Sequence, residues 1–285
     1  MTTYDGPFSE RRVVPRPDVD LAVFEGGAPD GPVVLHVHGY PDTHRLWRGV
    51  ADLLAEDHRV VAYDTRGQGD SVTDAPDEAF AVDVLADDLL AVVDAVSPDR
   101  PVHLVGHDWG SIQAWEAVCR PGAEERIASF CAISGPHLAH VSAWVRRVLR
   151  RPTPRGVLDL VGQAVSSSYV PFLVSPLAPL VLGALGQRTM VSGLRYYRAN
   201  LGARSRDPGD QRTRVPVLQL VPTRDVALRP ATAAASDDFV DAIERRRIPH
   251  GHWVARTHPE LVAAEVGRFV RERERAAAGR PAPPR

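Results

Sequence analysis

The sequence predicts an α/β fold in which a mostly parallel sheet carries helices on its faces and is split late in the chain by a helical insertion. Three observations predict it. Short, nearly continuous apolar runs alternate with segments of helical period, as a sheet buried on both faces requires. A glycine-flanked turn joins one such run directly to a helix. A proline-interrupted stretch without strand character then breaks the alternation before it resumes.

Taken in order, 19–25 and 33–37 read as strands, and so do 58–63 and 102–105. Between the last two, 80–96 repeats apolar residues at helical spacing among Asp83, Asp87 and Asp88, completing a strand-helix-strand unit. A helix over 109–119 and a strand over 127–133 follow. From 137 to 213 the chain reads as helical segments punctuated by Pro152, Pro154, Pro171, Pro176 and Pro179. Strands over 215–221 and 242–248 and a helix over 261–270 close the pattern. The expected organisation is a core over 1–136 and 214–272, a helical cap over 137–213, and a disordered tail over 273–285. An insertion of that length can lie over a pocket as a lid.

Composition narrows the function. The 285 residues are 44% hydrophobic and 25% charged with a formal net charge of -2, which suits a globular protein and not a nucleic-acid surface. All the basic charge sits on arginine; with no lysine in the chain, Schiff-base chemistry is excluded. The spacing of the two cysteines, Cys119 and Cys131, resembles neither a metal site nor a disulfide framework. No apolar run approaches the length of a membrane span, and 1–12 lacks the apolar core of a secretion signal, so a cytoplasmic protein is expected.

Gly106-His107-Asp108-Trp109-Gly110 follows an apolar strand and opens a helix. That is the setting of a nucleophile elbow, G-x-nucleophile-x-G, whose glycines admit a turn that a Cβ would block. The central residue here is aspartate; a helix N-cap is the plain structural alternative for it. Two more motifs end strands: His38-Gly39-Tyr40-Pro41, in which the His38 side chain reads as packed, and Asp64-Thr65-Arg66-Gly67-Gln68-Gly69-Asp70-Ser71, which reads as a structural turn.

Together these motifs resemble the epoxide hydrolase and haloalkane dehalogenase branch of the α/β-hydrolase superfamily, and within it most nearly the epoxide hydrolases. The resemblance runs from about residue 19 to 270. It implies the α/β-hydrolase fold, with a mostly parallel eight-stranded sheet flanked by helices and a cap inserted after strand six. It further implies Asp108 as nucleophile, Asp225 in Pro222-Thr223-Arg224-Asp225 as supporting acid, and His252 in His250-Gly251-His252-Trp253 as base. Asp237 and Asp238 compete for the first of these two roles, His250 and His258 for the second. The backbone amides of Tyr40 and Trp109 would form the oxyanion hole. Tyr196-Tyr197-Arg198 resembles the cap segment that carries one ring-opening tyrosine, which falls on Tyr197, and Tyr169 is the candidate for the other. Tyr196 should point elsewhere, because helix neighbours face about 100° apart.

The residue type selects the reaction. A serine attacking an epoxide or alkyl halide would leave an ether, whereas a carboxylate leaves an ester that water can cleave. The expected activity is conversion of an apolar epoxide to a vicinal diol through an aspartyl ester. A dehalogenase using the same aspartate, or a non-catalytic small-molecule-binding protein on this scaffold, are the alternatives. The family's dehalogenases carry asparagine in place of Tyr40, and this chain departs from them there. No cofactor or metal is expected; the partners are an apolar small molecule and water, not nucleic acid, and a homodimer is compatible with the sequence. Related actinobacterial epoxide hydrolase domains are in some cases fused to a short-chain dehydrogenase, and this chain reads as a freestanding hydrolase.

Overall fold

The computed structural model describes residues 6–201 and 211–279. Eight strands form one sheet: β1 (Glu10–Arg16), β2 (Val19–Gly27), β3 (Val33–Val37), β4 (Arg59–Tyr63), β5 (Val102–His107), β6 (Ile127–Ile133), β7 (Val217–Pro222) and β8 (Ile243–Ile248). Their spatial order is β1-β2-β4-β3-β5-β6-β7-β8. The pairs β1/β2 and β2/β4 are antiparallel, and all others are parallel.

The central strands β3, β5 and β7 are buried at every position, which explains their nearly continuous apolar runs. One face packs on α2 (Val82–Val96) and α3 (Trp109–Val118) through Leu89, Val93, Trp115 and Val118, preceded in the chain by α1 (Arg48–Leu54). On the opposite face, α1 supplies Val50 and Leu54 to a second apolar layer.

The insertion after β6 is helical: α4 (Leu138–Arg150), α5 (Pro154–Ser166), α6 (Val170–Val174), α7 (Ala178–Ala184) and α8 (Arg188–Asn200). Prolines that read as interruptions in the sequence stand in the first turns of α5, α6 and α7. There the missing N–H costs no helical bond. After β8 come α9 (Val254–Thr257) and α10 (Pro259–Ala278), which completes the second layer with Val262, Val266 and Phe269.

Four elements differ from expectation, among them the short helices α1 and α9, which no predicted segment covered. Strand β1 was not predicted: it is a sheet edge with four exposed residues at its start, so it has no apolar run to betray it. Helix α10 continues through 273–278, where a disordered tail was expected. Arg268 bonds Glu272 one turn on, the Arg273 guanidinium lies 5.3 Å from the Phe269 ring centroid, and Glu274 meets His103 of β5 at 3.1 Å. Residues 202–210 of the expected cap and 280–285 of the expected tail lie outside the described residues.

Candidate active site

Asp108 sits between β5 and α3 with φ 53° and ψ −124°, a backbone that a non-glycine residue adopts only under strain. The flanking glycines make the turn sterically feasible. A Cβ on Gly106 would lie 2.7 Å from Cα of Ser111, and one on Gly110 would meet the carbonyl of Val37. The turn lifts the Asp108 carboxylate towards the loop after β3. There the N–H of Tyr40 donates to Oδ1 at 2.8 Å, and the Trp109 amide also bonds the carboxylate. Both predicted oxyanion-hole donors therefore address one side chain. Gly39 permits this approach, because a Cβ there would fall 2.5 Å from the Trp109 nitrogen.

His252 follows β8 in a loop that returns over the elbow. Its Nδ1 lies 2.9 Å from Oδ2 and 3.1 Å from Oδ1 of Asp225, while its Nε2 faces Oδ2 of Asp108 at 3.6 Å. A carboxylate only accepts, so Nδ1 carries a proton and Nε2 is left as the basic nitrogen. Asp225 follows β7 and is itself held by the amides of Ala227 and Leu228, at 2.8 and 3.0 Å. The rivals are engaged elsewhere: Asp237 pairs with Arg245, Asp238 with Arg147, and the His250 and His258 rings pack together at 3.9 Å.

The electrostatics of the three groups are coupled. Burial pushes the Asp108 carboxyl up to about 6, against the opposing pull of His252 and the two amides. Burial would lower His252, but the hydrogen bond to Asp225 and the charge of Asp108 outweigh it and the imidazole ends above its ordinary value. Burial likewise opposes ionisation of Asp225, yet the His252 hydrogen bond leaves that carboxyl below its usual range. At neutral pH Asp108 is therefore mostly ionised, and Asp225 is fully so.

Above the carboxylate lies a cavity of about 900 Å³ lined by Asp108, Trp109, Tyr169 and Tyr197 among others. Tyr197, from α8, is buried and meets the Trp109 ring edge-to-face at 5.1 Å. Tyr169, just ahead of α6, hydrogen-bonds Tyr197, and both hydroxyls feel the Asp108 charge. Burial raises both phenols, so each is a neutral O–H donor. Tyr196 points elsewhere, as the helical angle predicts: its hydroxyl bonds Thr65 and the Arg66 carbonyl. The turn at Arg66 is itself fixed by a bidentate bond to Asp88, at 2.7 and 2.9 Å. His38 is packed: its Nε2 accepts from the Thr65 amide.

Two contributors escaped the sequence reading. Asp42 accepts from the Trp253 indole at 3.0 Å and pairs with Arg256, tying the loop of His252 to the loop of Tyr40. His107 reaches the His252 carbonyl through Nε2 at 2.9 Å. Position was the available signal, since Asp42 directly follows the His-Gly-Tyr-Pro motif and His107 precedes the elbow aspartate.

Cys119, His137 and His140 bring one potential metal-ligand atom each to within 4.8 Å of one another. Hydrogen bonds already use these groups. His140 Nε2 and Cys119 Sγ both donate to the Gln211 carbonyl, and His137 Nδ1 accepts from Ala139, so its proton lies on Nε2. The cluster braces the cap against the core.

A strand-elbow-helix with an acid and an imidazole converging on the elbow defines the α/β-hydrolase class, and the description "alpha/beta hydrolase fold" matches residues 32–204. The chain belongs to that family. "Probable oxidoreductase EphD" of Mycobacterium tuberculosis is 38% identical over 291 residues, covering 91% of this chain and 49% of that relative. "Epoxide hydrolase A" of the same organism is 38% identical over 128 residues, 45% of this chain and 39% of that protein. The chain thus spans about half the length, or less, of these curated relatives. Among solved structures, a Bacillus megaterium epoxide hydrolase in complex with an inhibitor superposes with a TM-score of 0.71 at 21% identity, covering 91% of this chain and all of that one. An epoxide hydrolase from metagenomes of hot environments gives 0.75 at 22%, covering 92% of this chain and 98% of that one. At such identities the likeness is one of fold.

Proposed function

We propose that the protein hydrolyses an apolar epoxide to a vicinal diol through an ester on Asp108. The observation that carries this reading is the division of the Asp108 carboxylate: Oδ1 rests on the Tyr40 amide, while Oδ2 is free of that bond and faces the cavity side of His252. Oδ2 attacks an epoxide carbon, the carbon–oxygen bond of the ring breaks, and the departing oxygen takes a proton from the Tyr197–Tyr169 pair. Oδ1 becomes the ester carbonyl oxygen, already seated against two N–H donors where negative charge develops next.

His252 then removes a proton from water, the resulting hydroxide attacks the ester carbonyl, and Asp225 stabilises the imidazolium. Collapse of the tetrahedral intermediate breaks the bond between the carbonyl carbon and Oδ2, the oxygen that attacked the substrate. That oxygen takes the proton from His252 and leaves in the diol, Asp108 keeps one solvent oxygen, and the proton of the added hydroxyl returns to the Tyr197–Tyr169 pair, which restores the starting carboxylate and phenols. The aromatic and aliphatic lining from Trp109, Ile112, Leu138 and Val170 supports an apolar substrate. The adjacent tyrosines support an epoxide over a halide, because an alkoxide needs a proton whereas a halide does not.

One turnover with excess enzyme in heavy-oxygen water tests the proposal. The first diol should carry an unlabelled oxygen from Asp108, and the label should appear in the protein. Label entering the first diol directly would exclude the ester.

A further inference from the structure

We infer that the outer face of the cap, built on α5, is a docking surface for an anionic lipid bilayer. Helix α5 has no fully buried residue. Its outward positions recur at helical spacing as Leu158, Val161 and Val165, exposed by 68%, 54% and 69%. Beyond it Leu177, Leu180 and Leu185 are as exposed. Isolated apolar residues on a surface need no explanation, but a stripe along one helix continued by its neighbours does.

Charge decides what covers it. Residues 137–201 hold eight arginines and one acid, Asp159, a net +7 in a chain whose total is -2; Arg147 is paired with Asp238 and Arg195 bonds the carbonyls of Thr73 and Ala75, which leaves the rest as the cap's excess of positive charge. Arg150 and Arg151 stand where α4 meets α5, at the head of the apolar stripe, and have no ion pair among the described residues. The single acid is already bonded to Arg155, at 3.1 Å. A second copy of this face would bring the same arginines and no acid beyond the Asp159 already bonded to Arg155, and uncompensated charges are costly to bury at a protein interface. Lipid phosphates supply that counter-charge, while the stripe enters the acyl boundary.

The helix lies on such a surface and does not cross it. No helix among the described residues is long and apolar enough to span a membrane. The opposite side of α5 explains why the helix holds its orientation. Leu160 packs with Trp144, and Gln163 bonds the Ala227 carbonyl and the Arg229 amide. Gln163 and Ser167 also line the cavity, so one helix would present lipid on one side and the pocket on the other.

Vesicle co-sedimentation of the full chain tests this without reference to turnover, so it stands or falls apart from the proposed reaction. Phosphatidylcholine vesicles containing phosphatidylglycerol should retain the protein, salt should weaken retention, and pure phosphatidylcholine should retain far less. Val161→Asp should abolish binding with an unchanged circular dichroism spectrum. Arg150→Glu with Arg151→Glu should weaken it by on the order of tenfold or more. Absence of binding to the anionic vesicles, or equal binding by Val161→Asp, overturns the inference. So does a solution dimer that Val161→Asp converts to monomer, which would assign the face to a second copy.

Discussion

Nε2 of His252 stands 3.6 Å from Oδ2 of Asp108, too far for a hydrogen bond and close enough for each to set the other's ionisation. Asp108 holds the imidazole proton more tightly, and the imidazole limits the rise of the carboxyl. The coupling lasts only while residue 108 is charged. In the proposed reaction an ester there would be neutral, so its formation would withdraw one of the groups that raise His252 and leave an imidazole that is neutral at lower pH. Several outcomes rest on this relationship.

The two half-reactions should therefore differ in pH dependence. Formation of the adduct requires ionised Asp108 and should fall as pH drops through about 6, the value to which burial has raised that carboxyl. Hydrolysis requires neutral His252 and should also fall towards acid. Its midpoint should lie below the His252 midpoint of the free enzyme, where the Asp108 charge still raises it. Stopped-flow single turnovers across pH 5 to 9 would separate the limbs; an identical His252 midpoint in free enzyme and adduct would contradict the coupling.

Replacing His252 by glutamine should remove the base and spare the first step. Adduct of substrate mass should accumulate to one per protein, detected by intact mass spectrometry, while steady-state turnover falls on the order of 10²–10⁴-fold. Unimpaired turnover would remove His252 from the mechanism.

Asp225→Asn tests the support behind the base. The asparagine amide can hold the opposite tautomer and carries no charge, so turnover should fall on the order of 10³–10⁴-fold. The midpoint of His252, followed by NMR, should move down, because the Asp225 hydrogen bond is the largest influence raising it. An unmoved midpoint would show that Asp225 acts in some other way.

The readable parts of this molecule are those where one physical demand dominates a short segment. Burial on both faces writes β3 and β7 as apolar runs, and the steric needs of the elbow write Gly106 and Gly110 into the sequence. Strand β1 satisfies no such demand, since an edge strand is half solvated, and the stretch past 270 is held by pairs such as Arg268–Glu272 that composition alone does not reveal. Asp108, Asp225 and His252 were found through motif order, and the structure brings them together from β5, β7 and β8. Asp42 and His107 act across the chain on the loop of His252, through contacts 211 and 145 residues apart that no local pattern records.

Gly39→Ala should separate site geometry from fold. The added methyl would press on the Asp108 carboxylate and the Trp109 amide, displacing the donors from the position they now share. Overpacking of this kind costs about 1–3 kcal/mol, seen as a lowered melting temperature with the fold retained. The loss in kcat should exceed what that destabilisation accounts for at temperatures where the protein stays folded. Full activity in Gly39→Ala would show that the amides of Tyr40 and Trp109 do not need their present positions.

Tyr197→Phe and Tyr169→Phe should slow the first step and leave hydrolysis of a preformed ester unchanged, because only ring opening needs their protons. Tyr197 is buried against Trp109 whereas Tyr169 is 41% exposed, so the phenylalanine at 197 should cost more, and the double variant should abolish adduct formation. The phenyl ring preserves packing, so the melting temperature should change little while the rate of adduct formation drops on the order of 10²–10⁴-fold. Quenched-flow mass spectrometry reads that step directly. If the double variant still forms adduct at the wild-type rate, the departing oxygen takes its proton from elsewhere, and the preference for an epoxide over a halide loses its structural basis.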